Sequence, residues 1–302
     1  MKQIIHLQSI SDLSKLFNIG SNLHPLITVL NFSEVNEKIE QNSKITTDFY
    51  SIMFKNYCKN NIKYGRKEID FQDGNLICIA PNQLIEIDNE VEEREDKMGW
   101  GIFFHPDLFR STTLNEKIKY YSFFQYDVSE ALHLSDKEKN ILFECILKIQ
   151  YELQENIDVH SQQIIVSTIE LLLSYCLRFY GRQLITRSQN NKSIVLQIKN
   201  LLNLYFANNK INEQGLPSVK YLADKVHLSP SYLSDILKKE TGKNTQEHIH
   251  FYLIEEAKNL LINSEMNINE IAYDLGFDYP QYFNKLFKKK TGKTPMEYRN
   301  LN

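Results

Sequence analysis

The sequence is poor in residues that break or staple a chain. Seven prolines and ten glycines in 302 residues exclude collagen-like and low-complexity architectures. With 42% hydrophobic and 12% aromatic residues, the chain can bury a sizeable core. Only four cysteines are present, Cys58, Cys78, Cys145 and Cys176, far apart and without a CxxC pair. That spacing argues against a zinc knuckle or a disulfide framework and for reduced, mostly buried thiols. Net charge is nearly absent, with 35 Lys and Arg against 38 Asp and Glu. No segment approaches the roughly 18 to 20 apolar residues of a membrane span, and the amino-terminal MKQIIHLQSISDL lacks the apolar core of a signal peptide. A cytoplasmic location with no membrane partner is the expectation. No GxSxG, P-loop or GxGxxG motif occurs, so nothing marks a catalytic nucleophile and no cofactor is expected.

The length is about twice that of a typical domain of about 150 residues, which favours two domains. Charge divides between them: residues 193–302 hold 14 Lys and Arg against 12 Asp and Glu, whereas residues 1–192 hold 21 against 26. Up to about Trp100 the chain alternates short β-like stretches, Leu26 to Phe32, Thr46 to Tyr57, Leu76 to Ala80 and Gln83 to Ile87, with turn residues between some of them. This predicts a barrel or sandwich. After His105 and Pro106 the period turns helical, with long amphipathic segments at about Asp136 to Asn156 and Ser161 to Arg182. In the second, Ile164, Ile165, Thr168, Ile169, Leu172, Leu173 and Cys176 form a broad apolar stripe, which needs cover from its own barrel or from another copy. The polar TRSQNNKS, Thr186 to Ser193, reads as an interdomain linker. Beyond it the pattern is helical throughout.

The last 90 residues contain an internal duplication. SVKYLADKVHLSPSYLSDILKKETGK, from Ser218, aligns with NINEIAYDLGFDYPQYFNKLFKKKTGK, from Asn267. Leu222 matches Ile271, Ala223 matches Ala272, and Leu228 matches Phe277. One residue is then added in the second copy, after which Pro230 matches Pro280, Tyr232 matches Tyr282, and Lys238, Lys239, Thr241, Gly242 and Lys243 match Lys288, Lys289, Thr291, Gly292 and Lys293. Each copy has the grammar of a helix-turn-helix. A small alanine lets two helices approach, and His227 or Gly276 suits a left-handed turn. Ser229 or Asp278 can cap the next helix, with proline in its first turn. Tyr232, Tyr282 and Phe283 are expected to pack rather than stack on bases. His248 and His250 are two apart on a helix and point to different faces, so no metal site is expected there.

The stretch IAYDLGFDYPQYFNKLFKKKTGKTPMEYR, Ile271 to Arg299, closely resembles the signature of the AraC/XylS family of bacterial transcription regulators, and the resemblance extends over about 194–299. It implies an α+β chain. Residues 1–187 would form a cupin-like β-barrel with a helical dimerisation segment. Residues 188–302 would form an all-α DNA-binding domain with helix-turn-helix units at about 218–240 and 268–289, joined by a rigid central helix at about 246–262. The partners implied are double-stranded DNA, a second copy of the chain, a small-molecule effector and RNA polymerase. Carried over by position, Ser231, Ser234 and Asp235 of the first unit and Gln281, Asn284 and Lys285 of the second would face base edges. Gln281 and Asn284 suit adenine, Lys285 guanine and Asp235 cytosine. Lys238, Lys243, Lys288 and Lys293 would contact phosphates. Many family members carry an arginine early in the central helix, where this chain has Leu253.

Residues 20–105 contain only His24 and His105, without the HxH pair of a metal-dependent cupin enzyme, so no metal is expected. An effector pocket, if the barrel holds one, is expected among its aromatic residues, above all Tyr50, Phe54, Tyr64, Trp100 and Phe103. Plain core packing is the alternative for those residues, dimerisation alone the alternative for the barrel, and a barrel enzyme fused to a DNA-binding module the alternative for the whole chain.

Overall fold

The computed structural model describes residues 4–19, 23–34, 44–55, 63–64, 67–68, 74–86, 99–155, 158–207, 211 and 215–300. Its contacts separate two compact units, Met1–Thr186 and Arg187–Asn302.

The amino-terminal unit is built on a five-stranded antiparallel sheet of β2 (Ile27–Asn31), β4 (Tyr50–Lys55), β7 (Asn75–Ile79), β9 (Gly99–Phe104) and β10 (Leu132–His133), in the order β10-β7-β4-β9-β2. A second sheet joins β1 (Ile4–Leu7), β3 (Lys44–Thr47) and β8 (Ile85–Glu86), and β5 (Lys63–Tyr64) pairs with β6 (Lys67–Glu68). Among the described residues these are separate sheets rather than one closed barrel, and the unit combines a mainly antiparallel sheet arrangement with helices. The segment expected as one strand, Thr46 to Tyr57, divides: β3 ends at Thr47 and β4 starts at Tyr50.

Alternation along β4 and β9 sorts the aromatic residues onto two faces. Tyr50 pairs with Phe104, Ile52 with Ile102 and Phe54 with Trp100, so these six share one face. Ser51 pairs with Phe103, which therefore lies on the other. The Phe103 face packs against helix α1 (Ile10–Leu16) and the smaller sheet, in a core of Leu7, Ile10, Leu13, Leu30, Ile45 and Phe49. The Ile52 face carries Cys78, whose thiol hydrogen-bonds that of Cys176 on the long helix α4 (Ser161–Thr186). Burial and that neighbouring thiol push the Cys78 pKa well above its usual value, so this sulfur stays protonated and unreactive. Arg182 of α4 fastens the helical layer: its Nε donates to Glu138 Oε1 at 2.7 Å, and its Nη2 to Glu138 Oε2 at 3.0 Å and the His133 carbonyl at 2.6 Å. Glu138 lies on α3 (Asp136–Gln154), and a short helix, α2 (Leu114–Lys117), precedes it.

Contrary to the sequence expectation, α4 is long and apolar enough by length and composition to cross a membrane. Much of that apolarity belongs to the core, since Ile165, Ile169, Leu172, Leu173 and Cys176 are all buried.

The carboxy-terminal unit starts with α5 (Ser188–Ala207), so the polar stretch expected as a linker is mostly helix. Polar composition misled there because Asn191 is buried and Ile194 and Val195 already belong to the apolar face of α5. Two matched helix pairs follow. The first comprises α6 (Val219–Lys225) and α7 (Pro230–Thr241), the second α9 (Ile268–Asp274) and α10 (Pro280–Thr291). The central helix α8 (Thr245–Asn263) joins them, and α11 (Pro295–Arg299) closes the domain, with Arg299 Nε donating to the Leu261 carbonyl at 2.9 Å. Ala223 and Ala272 are fully buried where each pair crosses.

Both turns are left-handed, with φ of 55° at His227 and 77° at Gly276. The same five-residue hydrogen bond closes each, from the Leu228 N–H to the Ala223 carbonyl and from the Phe277 N–H to the Ala272 carbonyl. His227 thus holds a conformation that glycine adopts more readily. His227→Gly is expected to raise stability by about 0.5 to 1 kcal/mol. Gly276→Val is expected to lower it by more than 1 kcal/mol, because its side chain would also crowd Gly215 and Leu216, already 3.3 Å from the position of a Cβ. Chemical denaturation of the two variants checks both signs.

Candidate nucleic-acid interface

The second helices of the two pairs, α7 and α10, share one construction. Each starts with proline and ends at a glycine in the left-handed conformation, Gly242 or Gly292, whose N–H bonds back to Lys238 or Lys288. Just before it, Thr241 Oγ1 donates to the Leu237 carbonyl at 2.7 Å and accepts from the Lys243 N–H at 3.3 Å. Thr291 repeats this with Phe287 at 2.8 Å and Lys293 at 3.3 Å. The repeated Thr-Gly-Lys is therefore a helix stop as well as a source of a cation. The sequence signal for it was the glycine directly after each amphipathic run.

At about 100° per residue, Gln281, Lys285 and Lys288 leave one side of α10, whereas Phe283 and Phe287 leave the other. Gln281, Lys285 and Lys288 are exposed; Phe283 and Phe287 are fully buried. Asn284 is half-buried at the flank, with its Oδ1 covered and without a hydrogen-bond partner among the described residues. On α7, Ser231 and Asp235 are half-buried and Lys238 is exposed. Ser234 is placed differently from an outward reader, since its hydroxyl shares a 2.9 Å hydrogen bond with Thr245 at the start of α8. Lys243 and Lys293 are exposed, and Lys243 Nζ lies 4.7 Å from the centre of the Phe251 ring. Leu253 is fully buried, so this position of α8 serves the core and offers nothing to a ligand.

The second unit departs from the first at its turn. Ser229 caps α7 by accepting the Tyr232 N–H, as its residue type suggests. The expected counterpart, Asp278, does not cap α10: the added residue makes Tyr279 the cap position, with no side-chain hydrogen bond. Tyr282 is 60% exposed, against full burial for its match Tyr232, so the expectation that both pack fails for the second copy. The helix α5 packs against α7.

His248 and His250 have separate partners. His248 is buried with Nε2 2.8 Å from Thr241 Oγ1, and burial, then the charges of Lys243 and Lys199, hold its pKa below the usual value. His250 Nε2 lies 3.0 Å from Gln246 Nε2, and its pKa is lowered by burial and by Lys290 and Lys289. Both rings are therefore neutral near pH 7. Among the described residues no group of three His, Cys, Asp or Glu side chains could hold a metal.

In the amino-terminal unit, four of the five aromatic residues expected to line one pocket, Tyr50, Phe54, Trp100 and Phe103, are described, and they do not converge. Phe54 and Trp100 border a groove of about 410 Å³ beside Phe143 and Ile146 of α3. Phe103 lines a different cavity, of about 140 Å³, between the two sheets, with Thr47, Ser51 and Lys55 as its polar groups. Tyr50 is packed among Phe104, Phe109 and Phe124, its ring centres 4.9 to 6.0 Å away. The side chain of Tyr64 lies outside the described residues. Strand parity is the reason for the split: residues an odd number apart on one strand face opposite ways.

A helix-turn-helix domain model matches residues 222–301. The chain is 39% identical over 93 residues to the transcriptional regulatory protein YesN of Bacillus subtilis (strain 168), covering 29% of this chain and 25% of that protein. It is 39% identical over 84 residues to the xylose operon regulatory protein of Escherichia coli (strain K12), covering 28% of this chain and 21% of that one. It is also 31% identical over 118 residues to the HTH-type transcriptional regulator in the cgkA 5' region of Pseudoalteromonas carrageenovora, covering 38% of this chain and 68% of that protein. The chain thus spans only about a quarter of the length of YesN.

Proposed function

Because this chain belongs to the AraC/XylS family of DNA-binding transcriptional regulators, we propose that it is a sequence-specific regulator whose two reading helices enter successive major grooves of one duplex, about one helical turn apart. The observation that carries this is the repeated polar face: the exposed Gln281, Lys285 and Lys288 on α10 and the half-buried Ser231 and Asp235 with the exposed Lys238 on α7 occupy equivalent positions on two helices built alike and joined by α8. Gln281 and Lys285 read adenine and guanine, Asp235 reads cytosine, and Asn284 takes part once its amide turns outward. Lys238, Lys243, Lys288 and Lys293 hold phosphates.

The amino-terminal unit, on a cupin-like plan, is the regulatory one. The cavity beside Phe103 suits a small, largely apolar effector with one polar end facing Thr47, Ser51 or Lys55. Two copies pair through α4, where Ile164, Leu171 and Ile185, spaced seven and fourteen residues apart, remain exposed. Such a protein works in the cytoplasm, where the DNA and RNA polymerase are, and its role is regulation rather than catalysis.

The test is selection of duplexes from a randomised pool by the full chain, followed by gel shift. Binding to selected DNA is expected to exceed that to scrambled DNA by roughly a thousandfold or more. Binding without preference overturns the proposal. For the pairing, sedimentation at tens of micromolar should give a dimer, and Leu171→Glu a monomer; a wild-type monomer removes that part.

A further inference from the structure

The duplicated units differ most at the amino-terminal end of the reading helix, the part that meets base edges in a helix-turn-helix. The residue added to the second copy falls between Phe277 and Pro280. It places Tyr279 where the first copy has the capping Ser229, and Tyr279 is 59% exposed. Its ring stands edge-on to that of Tyr282, with centres 5.9 Å apart and planes at 83°. Tyr282 lies one turn before Lys285 and two turns before Lys289, both exposed. It therefore borders the face that carries Gln281 and Lys285. A large apolar ring left exposed on a helix whose opposite side is fully packed by Phe283 and Phe287 is not part of the core.

The apolar group that duplex DNA offers in its major groove is the C5 methyl of thymine. Resting on the DNA-binding reading above, we propose that Tyr282, braced by Tyr279, reads thymine in the second half-site through contact of its ring with that methyl group. Tyr279 limits the rotation of the Tyr282 ring, so the contact is directional and selects one or two adjacent A·T pairs. The first half-site lacks this reading, because Tyr232 is buried and Ser229 is a cap.

Duplexes selected from a randomised pool by the full chain supply the probe, and each thymine is then replaced singly by deoxyuridine, which removes the methyl and leaves every hydrogen-bonding group. One or two replacements are expected to weaken wild-type binding by roughly three- to fivefold each, the effect of one methyl leaving an apolar contact. Tyr282→Ala should bind the thymine and deoxyuridine duplexes equally, Tyr282→Phe should keep the full contrast, and Tyr279→Ala should narrow it. All three variants should unfold at the wild-type midpoint, since both rings are largely exposed. A selected site without thymine in the half bound by the second unit, a wild-type protein indifferent to the methyl, or a contrast that persists in Tyr282→Ala overturns the proposal. Loss of the contrast in Tyr282→Phe also overturns it, because the hydroxyl would then be the contact. A pool that yields no preferred sequence removes the regulator reading and this inference with it.

Discussion

Phe287→Ala is expected to destabilise the carboxy-terminal unit by about 3 to 5 kcal/mol, the range for deleting a buried phenylalanine. Phe287 is fully buried on the inward side of α10, with its ring centre 5.7 Å from that of Phe283 and 5.5 Å from that of Tyr298. Tyr298 belongs to α11, whose neighbour Arg299 bonds the carbonyl of Leu261 on the central helix. The Phe287 ring thus links the second reading helix to the element that ties it down. Alanine there leaves a cavity that neither Phe283 nor Tyr298 can fill without a change of rotamer. Against a typical total of about 5 to 15 kcal/mol, the loss is large enough to be read directly from a urea midpoint. Lys285→Ala, on the exposed side of the same helix, should leave that midpoint within about 0.5 kcal/mol. A Phe287→Ala loss under about 1 kcal/mol would mean that α10 is not held by its inward face.

The carboxy-terminal unit was legible in the sequence because its information is local. Alanine, turn residue, proline and Thr-Gly-Lys each act within a few residues, and their repetition marks them as one motif used twice. What local reading missed were differences between the copies: the exposure of Tyr282 and the displacement of the cap from Asp278 to Tyr279. Both follow from a single added residue and from which neighbours cover each helix, and the latter is a tertiary fact.

The amino-terminal unit was less legible for a different reason. The strand β9, GWGIFF, is buried on both faces from Trp100 onward, so it shows no apolar and polar alternation, and it drew notice only as a source of aromatic side chains. The strands β1 and β10 are four and two residues long, too short for any period to register. Grouping the aromatic residues by sequence proximity also ignored parity, which sends Phe103 to the cavity side and Phe54 and Trp100 to the helical side.

Raising salt from 50 to 200 mM is expected to weaken DNA binding by about two orders of magnitude. Four lysines, Lys238, Lys243, Lys288 and Lys293, stand exposed at or just beyond the ends of the reading helices. If each neutralises one phosphate, the logarithm of affinity falls against the logarithm of salt with a slope of about −3.6, since each contact contributes about −0.9. Lys288→Ala should shift that slope by about one and weaken every sequence alike. Gln281→Ala should do the opposite: being uncharged, it leaves the slope unchanged, while costing about 1 to 3 kcal/mol on the selected site and relaxing the preference at one base pair. Lys285→Ala should show a similar loss of preference, because a lysine at the bottom of the groove selects guanine as well as carrying charge. The contrast between Gln281 and Lys288, neighbours on one face of α10, separates recognition of bases from attraction to the backbone. Equal, sequence-independent losses from both would assign that face to the phosphates alone.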